Sequence, residues 1–200
     1  MFRPLASVII TLFVPAAALA QSPGPSFEVG GQLSVTRSSQ FDATDTGVGA
    51  RIAWLPRDVI GIEAELTSYP GDFPGSSAFS ANRLEAMFGA TTGVTVGRVR
   101  PFAKVRPGLL RVGASSQPLA CILIFPPPLS CTLAAGRTLF ALDIGGGLQI
   151  ATTRSTFIRF DLGDRMVRYP GPVFDANRQV RDRSFFSHDL RTTVGGGLRF

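Results

Sequence analysis

From Asp189 to Phe200 the chain reads DLRTTVGGGLRF, and its residues divide by parity. Leu190, Thr192, Val194, Gly196 and Leu198 share one side with Phe200, whereas Asp189, Arg191, Thr193, Gly195, Gly197 and Arg199 share the other. One face is greasy or small and the other polar, the two-residue period of a strand lying between unlike environments. A stretch of this length also suffices for a tilted strand to cross a bilayer, which takes roughly nine to eleven residues.

The alternation recurs along the chain. Phe27, Val29, Gly31, Leu33 and Val35 oppose Glu28, Gly30, Gln32, Ser34 and Thr36; Val48, Ala50, Ile52 and Trp54 oppose Gly47, Gly49, Arg51 and Ala53. Ile60 to Thr67, Arg83 to Ala90, Val99 to Arg106, Phe140 to Ile150 and Phe157 to Gly163 repeat it. Pro56-Arg57-Asp58 reads as a tight turn, and Pro107-Gly108 as a bulge or a strand end. Eight strands result. Their connections alternate: residues 37–46, 69–81, the segment before Gly136 and 169–186 are long, and the links between them are short. The pattern predicts an all-β, eight-stranded antiparallel up-and-down transmembrane β-barrel with brief periplasmic turns and longer extracellular loops.

A barrel in lipid must be closed, because no water there satisfies a free N–H or C=O. With the apolar parity outward, Glu28, Arg51, Glu63, Glu65, Arg83, Glu85, Lys104, Arg106, Asp143, Arg159, Asp161 and Arg191 point into the lumen. Eight strands leave an interior just wide enough for side chains, so these charges must pair across it. Mixed signs permit pairing, and the expectation is a plug of ion pairs rather than a pore. The first and last strands are expected to adjoin, offering Arg191 the carboxylates of Glu28 and Glu63.

The N-terminus reads as a cleavable signal peptide over residues 1–20, leaving residues 21–200 as the barrel. Arg3 gives the basic start, Leu5 to Val14 the apolar run, and Ala18-Leu19-Ala20 the cleavage site before Gln21. That run is too short for a membrane helix of about 20 residues. No cysteine follows the cleavage site, which argues against a lipoprotein.

Composition adds little to the fold but narrows the partners. With 44% hydrophobic and 17% charged residues, the chain is a single globular domain rather than a disordered one. The net charge of +6 is almost wholly arginine, Lys104 being the only lysine. Because the basic residues are scattered rather than gathered in a stripe, nucleic acid is not an expected partner.

The signal peptide, the eight alternating strands, FDLGD at Phe160 to Asp164 and the terminal strand ending in Phe200 together resemble the outer-membrane β-barrel domain family. The resemblance spans the chain from about Ser26. It implies the bacterial outer membrane, a lipid and lipopolysaccharide surround, and Phe200 as the assembly signal read by the barrel-assembly machinery. Members include structural, adhesive and membrane-stabilising barrels, so location and fold are implied more strongly than activity. No peptidoglycan-binding domain is expected after the barrel.

Few residues suggest chemistry. Barrel lipid A deacylases, similar in scaffold, use a histidine and a serine two positions apart, whereas His188 has Phe186 and Leu190 at those positions. Its neighbour Ser187 points to the opposite face, and parity puts His188 on the lipid side near the outer rim. Cys121 and Cys131 flank ILIFPPPLS and, in an oxidising compartment, are expected to form a disulfide worth up to about 3 kcal/mol in the chain-entropy model. The apolar tip between them offers either a sticky surface or a cover for the barrel mouth. Arg168, Arg178, Arg181 and Arg183 could meet lipopolysaccharide phosphates, or be solvated beside Asp175 and Asp182. The glycine triplets 145–147 and 195–197 precede no helix, so they ease strand crowding rather than cradle phosphate. The reading is a monomeric barrel without catalytic role, cofactor or metal, acting through its loops. Its rivals are a lipid A-modifying enzyme, a narrow pore and a soluble lipocalin-like carrier.

Overall fold

The computed structural model describes residues 25–70, 81–115 and 124–200. The expected signal peptide and Cys121 lie outside them. Eight long strands carry the architecture: β1 (Ser26–Ser38), β2 (Ala43–Arg57), β3 (Ile60–Tyr69), β4 (Arg83–Gly93), β5 (Val99–Ala114), β6 (Ala135–Ala151), β7 (Thr156–Tyr169) and β10 (Phe185–Arg199). A short helix, α1 (Leu129–Ala134), precedes β6, and two brief strands, β8 (Val173–Phe174) and β9 (Val180–Arg181), form a hairpin before β10.

Each long strand pairs antiparallel with its neighbour in sequence, and β1 pairs with β10 to close the barrel. The closing register sets Glu28 against Arg199 and Thr36 against Arg191. Closure leaves no open edge, as a sheet surrounded by hydrocarbon requires.

Burial follows parity. Val29, Leu33, Ile52, Leu66, Phe88, Val105, Ile144, Leu148, Leu162 and Val194 are exposed on the outer wall, while the polar parity is buried. This is the inverse of a water-soluble carrier, which would turn Ile144 and Leu148 inward. The apolar wall and edge-free ladder together make the chain a transmembrane barrel.

Three local expectations differ from the structure. The turn between β2 and β3 is Asp58–Val59 rather than Pro56–Asp58, and the register shifts between Trp54 and Arg57. A bulge there accommodates Pro56, which has no N–H to give the ladder. Pro107 neither ends β5 nor changes its parity: Met87 pairs with Gly108 and Ala90 with Val105, so the register is continuous across it. Finally, β7 and β10 run on to Tyr169 and back to Phe185, well beyond the apolar belt.

Inward glycines give the filled interior its room. A Cβ on Gly147 would stand 2.9 Å from Phe102 Cζ, and one on Gly163 only 2.5 Å from Asp143 Oδ1. Both approaches are too close for any side chain but hydrogen.

Candidate functional site

The lumen is a stack of charged side chains. All twelve residues expected there are buried, Arg106 and Asp143 completely. At the periplasmic end Glu28 accepts from Arg51 Nη2 at 3.2 Å, Gln149 Nε2 at 2.6 Å and Arg199 Nη2 at 2.6 Å. Arg100, buried beside them, donates to the Asp58 carbonyl at 3.0 Å across the β2–β3 turn.

The middle layer is bound most densely. Arg159 donates to Glu63 Oε2 at 2.7 Å and to Asp161 Oδ1 at 2.9 Å, with its guanidinium 4.0 Å from the Phe102 ring centroid. Glu63 also receives Arg51 at 3.3 Å and Arg106 at 3.0 Å. Arg106 reaches Glu65 and Asp143 as well, and Lys104 Nζ lies 3.1 Å from Asp143 and 3.4 Å from Asp161.

Arg191 differs from expectation in its partners. It binds Glu65, Asp143 at 3.4 Å and Glu85 at 3.1 Å, and donates to Ser34 Oγ at 3.0 Å, but does not meet Glu28 or Glu63. The register is the reason: Arg191 lies opposite Thr36, whereas Glu28 lies opposite Arg199 at the other end of β1.

Above this layer the expected Arg83 and Glu85 gain partners that alternation alone did not single out, Asp45 and Arg165. Arg165 donates to Glu85 at 2.9 Å and to Asp189 at 2.8 Å, and Arg83 pairs with Asp45. Tyr69 is enclosed between the guanidiniums of Arg83 and Arg165, each 5.7 Å from its ring centroid. Among the described strand residues the buried cations are Arg51, Arg83, Arg100, Lys104, Arg106, Arg159, Arg165 and Arg191. The buried anions are Glu28, Asp45, Glu63, Glu65, Glu85, Asp143, Asp161 and Asp189. Eight face eight, and the half-buried Arg199 joins them at the rim through Glu28.

The extracellular mouth is closed by a different chemistry. Leu129 and Leu133 of α1, each 1% exposed, and Val173 of β8 pack on Leu110, Val112, Leu139, Val167 and Tyr169. Burying a leucine contributes about 1.5–3 kcal/mol relative to leaving it in water, which holds this lid over the polar stack. Pro128 bridges to Phe174 and ties α1 to the β8–β9 hairpin. The apolar connection thus covers the mouth, but its Phe125, 85% exposed, remains outside. Cys131 lies on α1, and no free cysteine stands among the described residues.

The outer wall carries the remaining candidates. His188 faces outward, its Nδ1 2.7 Å from Asp164 Oδ2, while Ser187 is buried and donates to Asp189 Oδ1 at 2.9 Å. The two therefore share no site. In the last extracellular connection Arg181 donates to Asp175 Oδ2 at 3.0 Å, and Arg168 donates to Ser184 Oγ at 2.9 Å. At the periplasmic rim Phe27 stacks on Trp54 with centroids 6.5 Å apart. Phe200, 74% exposed, exchanges two backbone hydrogen bonds with Phe27. Among the described residues no cluster of His, Cys, Asp and Glu is arranged to hold a metal ion.

Comparison with solved structures returns barrels of one kind. Neisserial surface protein A matches over 90% of this chain and 99% of its own, with a TM-score of 0.56 at 13% identity. The N-terminal barrel domain of Pseudomonas aeruginosa OprF matches over 90% and 100%, with a TM-score of 0.52 at 13% identity. The chain has the fold of the eight-stranded outer-membrane barrels. OprG of Pseudomonas aeruginosa, an outer membrane protein, matches over 90% and 97%, with a TM-score of 0.52 at 11% identity. No family model and no curated protein matches the sequence.

Proposed function

We propose that this chain is a bacterial outer-membrane protein whose barrel is a closed structural body rather than a conduit. In this reading its work is structural, envelope-stabilising or adhesive, and is done through its extracellular loops. The observation that carries the reading is the filled lumen, where eight buried strand cations face eight buried anions and seven of those cations bind carboxylates, beneath an apolar lid. A conducting pore would need an open aqueous path, and the layered guanidinium–carboxylate contacts fill the cross-section instead. Catalysis plays no part in this reading, since Ser187 and His188 lie on opposite sides of the wall.

The protein works as a monomer in a bilayer faced by lipopolysaccharide, and reaches it through the barrel-assembly machinery with Phe200 as the signal. Cys121 and Cys131 join as a disulfide, and between them in sequence Ile124 and Phe125 form an exposed apolar tip. That tip is the surface best suited to an external partner.

The decisive experiment is conductance in planar bilayers, joined to a deletion strain assayed for adhesion and envelope integrity. The expected results are no steady open current and a loss of one of the two phenotypes. A stable open current, or altered lipid A acylation in the deletion strain, would overturn the reading.

A further inference from the structure

Between Arg111 and Arg137 the sequence holds no charged residue and no histidine. In that connection Ile124 and Phe125 are exposed, immediately before the prolines that lead into α1. Val180 of β9 is exposed as well, and its strand partner Phe174 bridges to Pro128. The bare apolar surface thus spans two connections, and surface of that kind marks a place of interaction.

The backbone of the tip is suited to apolar surroundings. Pro126, Pro127 and Pro128 have no N–H to leave unpaired. The Pro127 carbonyl accepts from Phe174 N at 3.0 Å, and the Pro128 carbonyl from Thr132 N at 3.2 Å. These bonds tie the tip to β8 and to α1, which Leu129 and Leu133 seat in the barrel mouth. Phe125 therefore stands out from a fixed base. A protein interface carries about one hydrogen bond per 100–200 Å², but the side chains of Ile124, Phe125 and the prolines have no donor or acceptor to give. Hydrocarbon favours both features, because no water there satisfies a free polar group.

Charge points the same way. In the connection beside the tip, Arg178 and Arg183 are exposed without a carboxylate partner among the described residues, whereas Arg181 is held by Asp175. Asp182 is the one exposed carboxylate between them. Two free guanidiniums beside an apolar tip complement a surface of lipid phosphates. The protein's own bilayer ends lower down: Leu109 and Phe140 form the last apolar pair of β5 and β6, and β5 runs on to Ala114. That is roughly 16 Å of further strand.

We propose that Ile124 and Phe125 insert into a phospholipid bilayer apposed to the cell that carries this barrel, with Arg178 and Arg183 meeting its phosphates. This contact gives the adhesive reading its partner and rests on that reading.

The test places the folded mature protein in nanodiscs and mixes them with vesicles of phosphatidylcholine and phosphatidylglycerol, which are then floated on a density gradient. The parent is expected to float with the vesicles. Phe125→Asp should reduce the floated fraction about tenfold, since it removes a buried phenyl ring and adds a charge. Phe125→Trp should restore binding, and Arg154→Gln, in an exposed periplasmic turn, should behave as the parent. Fluorescence of Phe125→Trp should be quenched by brominated acyl chains in the vesicles and not by the same chains in the nanodisc. Absence of flotation, parental flotation of Phe125→Asp, or quenching from the nanodisc lipid alone would overturn the proposal. So would Phe125-dependent pairing of nanodiscs without vesicles, which would assign the tip to a second copy of the chain. Heat-modifiable gel mobility reports the barrel separately. An intact barrel that does not float removes the tip's partner and leaves the outer-membrane reading standing, whereas a parent without such mobility removes both.

Discussion

The guanidinium of Arg159 lies against the ring of Phe102, 4.0 Å from its centroid, inside a barrel whose adjacent strand has been cut back to receive that ring. Gly147 makes the recess: a methyl group there would stand 2.9 Å from Phe102 Cζ and 1.9 Å from the Phe160 carbonyl oxygen. Gly147→Ala should therefore displace the ring and with it the arginine that binds Glu63 and Asp161. Overpacking of this kind costs about 1–3 kcal/mol. Gly31 faces outward with only the Gly49 carbonyl oxygen within 4 Å, at 3.9 Å, so Gly31→Ala should leave stability unchanged. Urea unfolding followed through Trp54 fluorescence measures both; equal midpoints for the two variants would refute the packing argument.

Arg106 reaches three buried carboxylates of the lumen, Glu63, Glu65 and Asp143. Replacing it with methionine keeps much of the volume but leaves three buried carboxylates short of a cation. Breaking a buried pair in this way costs about 3–5 kcal/mol, because the charge left behind has lost its solvent as well as its partner. We expect Arg106→Met to fold in low yield and to unfold at markedly lower urea. Arg98→Met, in the exposed β4–β5 turn, should behave as the parent. A near-normal midpoint for Arg106→Met would show that water or neighbouring cations compensate the cluster.

The barrel itself was legible because its lipid belt and its lumen demand opposite chemistry at alternate residues. Beyond the belt the outer face meets polar surroundings while the inner face packs beneath the apolar lid, so the alternation inverts and the lipid-facing signal is lost. Asp164 and Arg168 stand on the outer parity of β7 where apolar residues would mark a wall, so that strand reads as ending near Gly163 although it continues to Tyr169. Arg165 was lost with it. Pairing partners were less legible than facing, since they depend on register: Arg191 meets Glu65 and Glu85 because of where β10 sits against β1, which alternation does not reveal. The lid is legible only as composition. ILIFPPPLS announces apolar surface, but nothing in its order separates Leu129, which packs down, from Phe125, which does not.

Phe200 contributes two backbone hydrogen bonds to Phe27 and an exposed ring beside the Phe27–Trp54 stack. Phe200→Ala keeps the backbone bonds and removes the ring. If the ring is read during assembly, the variant should reach the outer membrane in reduced amount, while the fraction that assembles unfolds at the parental urea concentration. Quantitative immunoblotting of membrane fractions and urea titration of the purified barrel separate the two effects. Parental membrane levels would remove Phe200 from the assembly role.

Cys131 occupies α1 between Leu129 and Leu133, the two residues that seat the helix in the mouth of the barrel. A bond from this helix to Cys121 would anchor the far end of the same connection. Its effect should be local, because the ladder pairs of β5 and β6 already fix the strands on either side. Alkylation of the unfolded, unreduced protein is expected to label no thiol, and two after reduction. Reduction of the folded protein should then speed proteolytic cleavage between residues 115 and 128 several-fold without moving the urea midpoint of the barrel. Free thiols before reduction would eliminate the bond; a large drop in the midpoint would mean that the lid and the charged stack unfold as one unit.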